Sequence, residues 1–147
     1  MRLGIHTSIA KSLEHAAQTA AEVGANTFQI FSASPRMWRA SPPAPSAVQL
    51  LRRARERHDL EPLIIHDNYL LNLASCSEPL RLQSTAAFRG EMERALAIGA
   101  EYLVAHPGAA LGSRFEELGA MRQFAAEVTD LKVGFCIDTC HCPGVRI

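Results

Sequence analysis

The sequence predicts an α/β fold in which helices cover one parallel sheet. Five short β-type segments begin at residues 2, 26, 62, 101 and 133. They are apolar along most of their length, as strands covered on both faces usually are. Longer segments with helical spacing of apolar residues separate them, and parallel neighbours need such crossovers. The right-handedness of βαβ units leaves two arrangements, the first part of a barrel in strand order 1-2-3-4-5 or a doubly wound sheet.

Capping and stop signals set the boundaries of the individual elements. The strands are predicted at residues 2–7, 26–31, 62–67, 101–106 and 133–138. The first helix begins after Ser8 or Ser12 and stops at Gly24. Three more helices are predicted at residues 46–58, 78–98 and 113–128. Residues 32–45 hold four prolines, which is typical of a long loop.

Composition limits the class of protein. The chain has 147 residues, 15 basic and 15 acidic, with 48% apolar and 20% charged types. These values predict one folded domain over residues 1–147 and exclude a strongly basic, histone-like DNA binder, although a local basic patch remains compatible with them. The sequence has no run of 18 apolar residues, and Glu14, His15 and Gln18 interrupt the segment that a signal peptide would need. We therefore expect no membrane span and a cytoplasmic location.

Polar side chains follow four of the five predicted strands. The carboxyl edge of a parallel sheet is where ligands gather, and imidazole with carboxylate suits zinc, manganese or iron. A lone histidine at a strand end is more commonly structural, but four such ends in one chain favour a polar site. The candidates are His6, His66 with Asp67, His106, and Asp138 with His141.

The cysteines and arginines leave alternatives open. Cys136, Cys140 and Cys142 crowd around His141 and form either a small zinc site or buried apolar contacts. Residues 36–57 hold six arginines and one glutamate, which either track phosphates or form a solvated helix end matched to the helix dipole. Trp38 is predicted to anchor its loop by packing rather than to stack on bases.

Five stretches of the sequence resemble the endonuclease IV family of apurinic/apyrimidinic (AP) endonucleases. They are LGIHTS at 3–8, PRMWRA at 35–40, HDNYLLNL at 66–73, HPG at 106–108 and CIDTCH at 136–141. Pro35 stands where the family has a glutamine. The stretches occur in the family's order and span nearly the whole chain, which makes the resemblance specific.

The resemblance implies a (β/α)8 barrel that holds three zinc ions and cleaves DNA on the 5′ side of an abasic site. His66 and His106 would share one zinc ion, Asp138 would bind a second and His141 the third. Arg36, Tyr69 and Leu70 match residues that enter the minor groove and hold the duplex open, and His6 lies in the DNA-facing first turn.

The chain also departs from the family, which is roughly twice as long. Only one α-β step fits between His106 and Asp138, where the family has a further strand that ends in a zinc-bridging glutamate. We therefore expect a partial barrel of about five strands that lacks one internal βα unit and the C-terminal strands, with fewer than three zinc ions and no assigned catalytic residue.

A partial barrel has free edges and an uncovered interior, so we expect self-association through its sheet edges. The side chains expected to face the interior are Leu3, Ile5, Ile30, Ile64, Val104 and Phe135. Three functions remain open: a shortened zinc-dependent AP endonuclease, a non-catalytic remnant that binds some metal or DNA, and a sugar isomerase-like barrel.

Overall fold

The computed structural model of the chain describes residues 1–108. Four strands, β1 to β4, form one parallel sheet in the order β1-β2-β3-β4, as the sequence predicted. The strands are β1 (Gly4–His6), β2 (Thr27–Phe31), β3 (Leu63–His66) and β4 (Tyr102–Val104). The predicted helix at residues 113–128 and the predicted strand at 133–138 lie outside the described residues.

Three helices connect the strands: α1 (Leu13–Glu22), α2 (Pro45–His58) and α3 (Glu78–Ile98). Ser12 is the N-cap of α1, and its hydroxyl accepts a hydrogen bond from the backbone N–H of His15 at 3.0 Å. Helix α2 begins one residue before the predicted start, because proline suits the first helical turn. Helix α3 has the predicted bounds and ends at Gly99 in the left-handed conformation, φ 78°.

The helices pack on one face of the sheet. Phe28, Ile30, Leu63 and Ile65 form a single buried cluster with residues of all three helices. The α1 contribution is mainly small, with Ala16, Ala17 and Ala20 fully buried. One covered face is the arrangement expected of part of a barrel, and it argues against a doubly wound sheet.

Two residues expected to face the barrel interior lie on the helix side instead. Ile30 is fully buried in the helix-side cluster, and Ile5 pairs in register with buried Phe28. Paired residues on adjacent strands project to the same face, so this part of the prediction was wrong. Ile64 and Val104 do lie on the other face, in register with Gln29 and His66.

Because the strands are parallel, their carboxyl ends meet at one edge of the sheet. The β2–α2 loop (residues 32–44) and the β3–α3 loop (residues 67–77) both start from this edge. Strand β4 ends earlier than predicted, so His106 lies two residues beyond it. Within residues 1–108, no helix is long and apolar enough to cross a membrane.

Candidate functional site

Two histidines meet at the carboxyl edge of the sheet. The Nε2 atoms of His66 and His106 lie 3.2 Å apart, and the two ring centroids lie 5.1 Å apart. Strands β3 and β4 are neighbours, so their ends bring these side chains together. Two nitrogens bound to one zinc ion lie roughly 3–3.5 Å apart, which follows from Zn–N distances near 2.1 Å. The prediction that His66 and His106 approach to metal-bridging distance is confirmed.

The His66 ring is oriented by the backbone. Its Nδ1 atom lies 2.7 Å from the carbonyl oxygen of Asp67. A carbonyl oxygen only accepts hydrogen bonds, so Nδ1 carries the proton and Nε2 of the neutral ring keeps its lone pair. Metal-binding histidines are commonly held in this way by a backbone carbonyl. The spacing of the two Nε2 atoms and the tautomer of His66 therefore fit a zinc ion between His66 and His106.

Asp67 joins the end of β3 to the turn that carries His106. Its side chain is 1% exposed, and its Oδ2 atom accepts a hydrogen bond from the His106 backbone N–H at 3.1 Å. Its own N–H donates to the carbonyl of Val104 at 2.9 Å. Burial raises the pKa of Asp67 to about 7; the His106 N–H opposes this rise, and the negative charge of Glu91 adds to it. Sequence reasoning noted Asp67 as polar but missed this supporting role.

His6 lies on the same face of the sheet, with its ring edge-on to that of His66. Its Nδ1 atom lies 3.0 Å from Oε1 of Gln29, and its ring centroid is 6.2 Å from that of His66. The Phe31 ring packs beside both, 4.7 Å from His6 and 5.3 Å from His66. Phe31 was not predicted as a site residue; its signal in the sequence is its place as the last residue of β2.

The other three candidate DNA-binding residues lie on the two loops that start at the carboxyl edge of the sheet. Tyr69 is 64% exposed, and its ring lies 5.2 Å from Phe31 and 6.1 Å from His66. Leu70 is half-buried, and Arg36 is exposed on the β2–α2 loop. The backbone N–H of Tyr69 donates to the carbonyl of Pro35 at 3.0 Å, so the loop of Arg36 and the loop of Tyr69 touch.

The arginine-rich segment divides between the two edges of the sheet. Arg36 and Arg39 are exposed on the β2–α2 loop, which starts at the carboxyl edge. Arg55, on α2, instead donates to the carbonyl oxygens of Leu60 and Gly99, residues that precede β3 and β4. The α2 end therefore lies at the amino edge, and Arg55 is bonded within the chain, whereas Arg52, Arg53 and Arg57 are exposed. Trp38 packs against a cluster of Leu71, Ala87 and Phe88, as predicted for a loop anchor.

Other predicted ligands fall outside the described residues: Asp138, His141, Cys136, Cys140 and Cys142. Within residues 1–108, no group of three or more His, Cys, Asp or Glu side chains is arranged to hold a metal ion. The part of the chain that the structure describes therefore brings together two candidate ligands, both histidines.

Comparison with known proteins extends these observations. The sequence profile of the xylose isomerase-like TIM barrel family matches residues 17–132. A protein named probable endonuclease 4 from Solibacter usitatus is 48% identical over 96% of this chain and 63% of its own length. Endonuclease 4 of Thermus thermophilus is 33% identical over 95% of this chain, and this chain spans 63% of its length too.

Solved structures agree with the sequence relatives. The crystal structure of endonuclease IV from Thermus thermophilus matches with a TM-score of 0.73 and 33% identity, over 88% of this chain and 48% of that one. A D-psicose 3-epimerase matches with a TM-score of 0.61 at 11% identity, which shows a shared fold only. The chain belongs to the xylose isomerase-like TIM barrel family, and within it the chain is a relative of the endonuclease IV proteins that its motifs indicated.

Proposed function

We propose that the chain is a zinc-dependent DNA repair protein of the AP endonuclease type, which hydrolyses the phosphodiester bond 5′ to an abasic site in duplex DNA. The observation that carries the proposal is the His66–His106 pair, with its Nε2 atoms 3.2 Å apart beside the exposed Tyr69 ring. The similarity to proteins named endonuclease 4 supports the same reaction.

The metal ligands would come from both parts of the chain. His66 and His106 would hold one zinc ion, and Asp138 and His141 from the C-terminal part would hold others. When bound, zinc lowers the pKa of a coordinated water and stabilises negative charge on phosphate oxygens. The Asp67 carbonyl keeps the His66 ring in the tautomer that leaves Nε2 free to bind, and the Asp67 carboxyl group holds the turn of His106.

DNA would bind across the two loops beside the histidines. The exposed Tyr69 ring and Leu70 would wedge into the minor groove, where a missing base lowers the energy needed to unstack the duplex. Arg36 would contact the backbone from the neighbouring loop. His6, next to Phe31, would face the DNA from the end of β1.

We further propose that the chain lacks an internal βα unit relative to these proteins. The alignment with the Solibacter protein is 182 positions long, which exceeds the 147 residues of this chain. Because no bridging glutamate is found between His106 and Asp138, we expect fewer than three zinc ions and weak nicking.

The second candidate is a non-catalytic remnant that binds zinc or DNA. It is favoured by the same specific observation: the interval from His106 to Asp138 fits only one α-β step and has no sequence pattern for the family's further strand with its terminal glutamate. The sugar isomerase-like alternative has less support, because the epimerase structure at 11% identity shares the fold alone.

One experiment separates these candidates. Zinc content is measured by mass spectrometry, together with nicking of an abasic duplex with and without a chelator, for the wild type, His66→Ala and His58→Ala. His58 is exposed at the end of α2 and serves as a matched control. The proposal predicts that the wild type binds zinc and nicks the abasic duplex, and that a chelator stops the nicking. His66→Ala should lose this activity, and His58→Ala should keep it. Zinc without nicking supports the remnant, and no bound zinc contradicts the proposal.

A further inference from the structure

A buried ion pair lies beneath the two loops that border the histidines. Glu91 and Arg94 lie one turn apart on α3, with 3% and 7% of their surface exposed. Arg94 Nη2 donates to Glu91 Oε1 at 2.9 Å. Charged side chains are rarely buried unless they are paired, and a buried pair contributes little net stability. The role of this pair therefore depends on the other residues that it contacts.

The pair holds the β2–α2 loop at two points. The Ser32 hydroxyl donates to Glu91 Oε2 and accepts from Arg94 Nε, the latter at 2.8 Å. Arg94 Nη1 donates to the carbonyl of Ala40 at 3.4 Å. Arg36 and Trp38 lie between these two points. The pair therefore fixes both ends of the segment from Ser32 to Ala40, which carries the exposed Arg36.

The same pair also holds the β3–α3 loop. Asn68 Nδ2 donates to Glu91 Oε1 at 3.3 Å, and Asn68 Oδ1 accepts from the backbone N–H of Leu70 at 2.9 Å. Asn68 is 4% exposed, so these bonds are shielded from water. Tyr69 lies between the two bonded residues. One carboxylate therefore contacts the first residue of the Arg36 loop and the residue before Tyr69.

Helix α3 makes room for this arrangement at Gly90. A Cβ atom at this position would lie 3.1 Å from Arg94 Nη1, which is tighter than ordinary contact. Glycine in the interior of a helix lowers helix stability relative to alanine. At this point of a 21-residue helix, glycine leaves space for the guanidinium group.

We propose that Glu91 and Arg94 are positioning residues that set the Arg36 loop against the Tyr69 loop, and that this geometry determines how tightly the chain binds an abasic duplex. The part that concerns DNA rests on the proposed function. The guanidinium group suits the role, because its planar fork donates in several fixed directions at once. The carboxylate suits it as well, because its two oxygens accept from both loops.

The main test replaces both charges together, in the double variant Glu91→Leu/Arg94→Met. Replacing a whole buried ion pair by apolar side chains of similar size leaves no unpaired charge and commonly preserves stability. The matched control is Arg89→Met/Glu93→Leu, which makes the same kinds of change at exposed positions of the same helix. Ser32→Ala is a milder variant that keeps the ion pair and removes its hydroxyl link to the first loop.

Trp38 reports the position of the loop without any need for DNA. It is the chain's single tryptophan, and it packs against Leu71, Ala87 and Phe88. The proposal predicts red-shifted emission and stronger acrylamide quenching in the double variant, with an unchanged melting temperature. Affinity for a fluorescent abasic duplex should fall about tenfold, since misplaced binding groups lose much of their effect. The control should match the wild type in all four measurements: emission, quenching, melting temperature and affinity.

The outcomes separate the inference from the proposed function. Unchanged Trp38 emission in a folded double variant overturns the positioning role. If the double variant does not fold, Ser32→Ala decides: a smaller shift in the same direction supports the role, and no shift overturns it. A wild type that does not bind abasic duplex contradicts the proposed function and the DNA part of the inference, while the Trp38 signal still decides whether the pair positions the loop.

Discussion

The two edges of the sheet use charged and polar side chains in different ways. At the amino edge, Arg55 donates to two backbone carbonyls and to both oxygens of Glu101 at 2.8 Å. Glu101 in turn accepts from the backbone N–H of Leu63 at 2.6 Å. These bonds tie α2 to the starts of β3 and β4, so the groups are satisfied within the chain.

At the carboxyl edge, the Glu91–Arg94 pair ties two loops together in a similar way, but not every buried polar atom there has a partner among the described residues. The two histidine Nε2 atoms face each other across 3.2 Å. Thr7 Oγ1 is buried with no hydrogen-bond partner among the residues described. In a barrel, residues at the amino edge are expected to stabilise the fold, and residues at the carboxyl edge are expected to bind ligands.

The largest effect on the free energy of unfolding is expected from the charge of Asp67. Its folded-state pKa of about 7 lies above the ordinary value of 3.8. The unfolded chain therefore releases this proton first, and the metal-free protein loses stability as the pH rises from about 4 to about 7. The loss is at most about 4 kcal/mol, at 1.36 kcal/mol per pKa unit.

Asp67→Asn removes this titration while keeping an oxygen for the His106 N–H. The free energy of unfolding of both metal-free proteins is measured in urea at pH 4.5 and pH 8. Relative to the wild type, the variant should be more stable at pH 8 than at pH 4.5. An equal difference between variant and wild type at both pH values would mean that the Asp67 carboxyl group titrates normally.

The next effect concerns the amino edge. Arg55→Met removes the side-chain hydrogen bonds that tie α2 to β3 and β4, and leaves Glu101 without its cationic partner. We expect a loss of about 2 kcal/mol in unfolding free energy, since hydrogen bonds to charged groups contribute roughly 1.5–3 kcal/mol each and part of the loss is recovered by water. Zinc affinity should not change. Arg57→Met, at an exposed position of the same helix, is the control.

A smaller effect, on DNA affinity, is expected to distinguish two exposed tyrosines. Tyr69 lies at the carboxyl edge and is 64% exposed, while Tyr102 begins β4 at the amino edge and is 61% exposed. Tyr69→Ala should weaken binding of an abasic duplex about tenfold, because ring contacts with bases contribute about 1–3 kcal/mol. Tyr102→Ala should leave the affinity unchanged. Equal losses from both variants, measured by fluorescence anisotropy, would place the DNA elsewhere on the chain.

Local signals in the sequence predicted the helix ends and the order of the strands well. Gly99 marks the end of α3, and Ser12 caps α1, because caps depend on neighbouring residues. The meeting of His66 and His106 followed from parallel strands with ends at one edge. The assignment of Ile30 failed because a parallel strand is apolar on both faces, so the sequence carries no alternation that would reveal its direction.

Contacts between distant residues could not be predicted in the same way. The sequence left open whether Arg55 contacts phosphates or belongs to a solvated helix end, because its partner Glu101 lies 46 residues away. Glu91 and Arg94 looked like ordinary polar residues on a long helix, since nothing local shows that they are buried. Phe31 joined the site only through its register with His66. Such features depend on packing between elements rather than on local propensity.

The most direct test of the central claim is whether His66 and His106 bind the same zinc ion. Zinc affinity is measured by competition with a chromophoric chelator for the wild type, His66→Ala, His106→Ala and the double variant. If both bind one ion, each single variant loses more than about tenfold in affinity, and the double variant is hardly weaker than either, because contacting residues are not additive. Losses that multiply in the double variant, or single variants that bind zinc like the wild type, would contradict a shared site at the carboxyl edge.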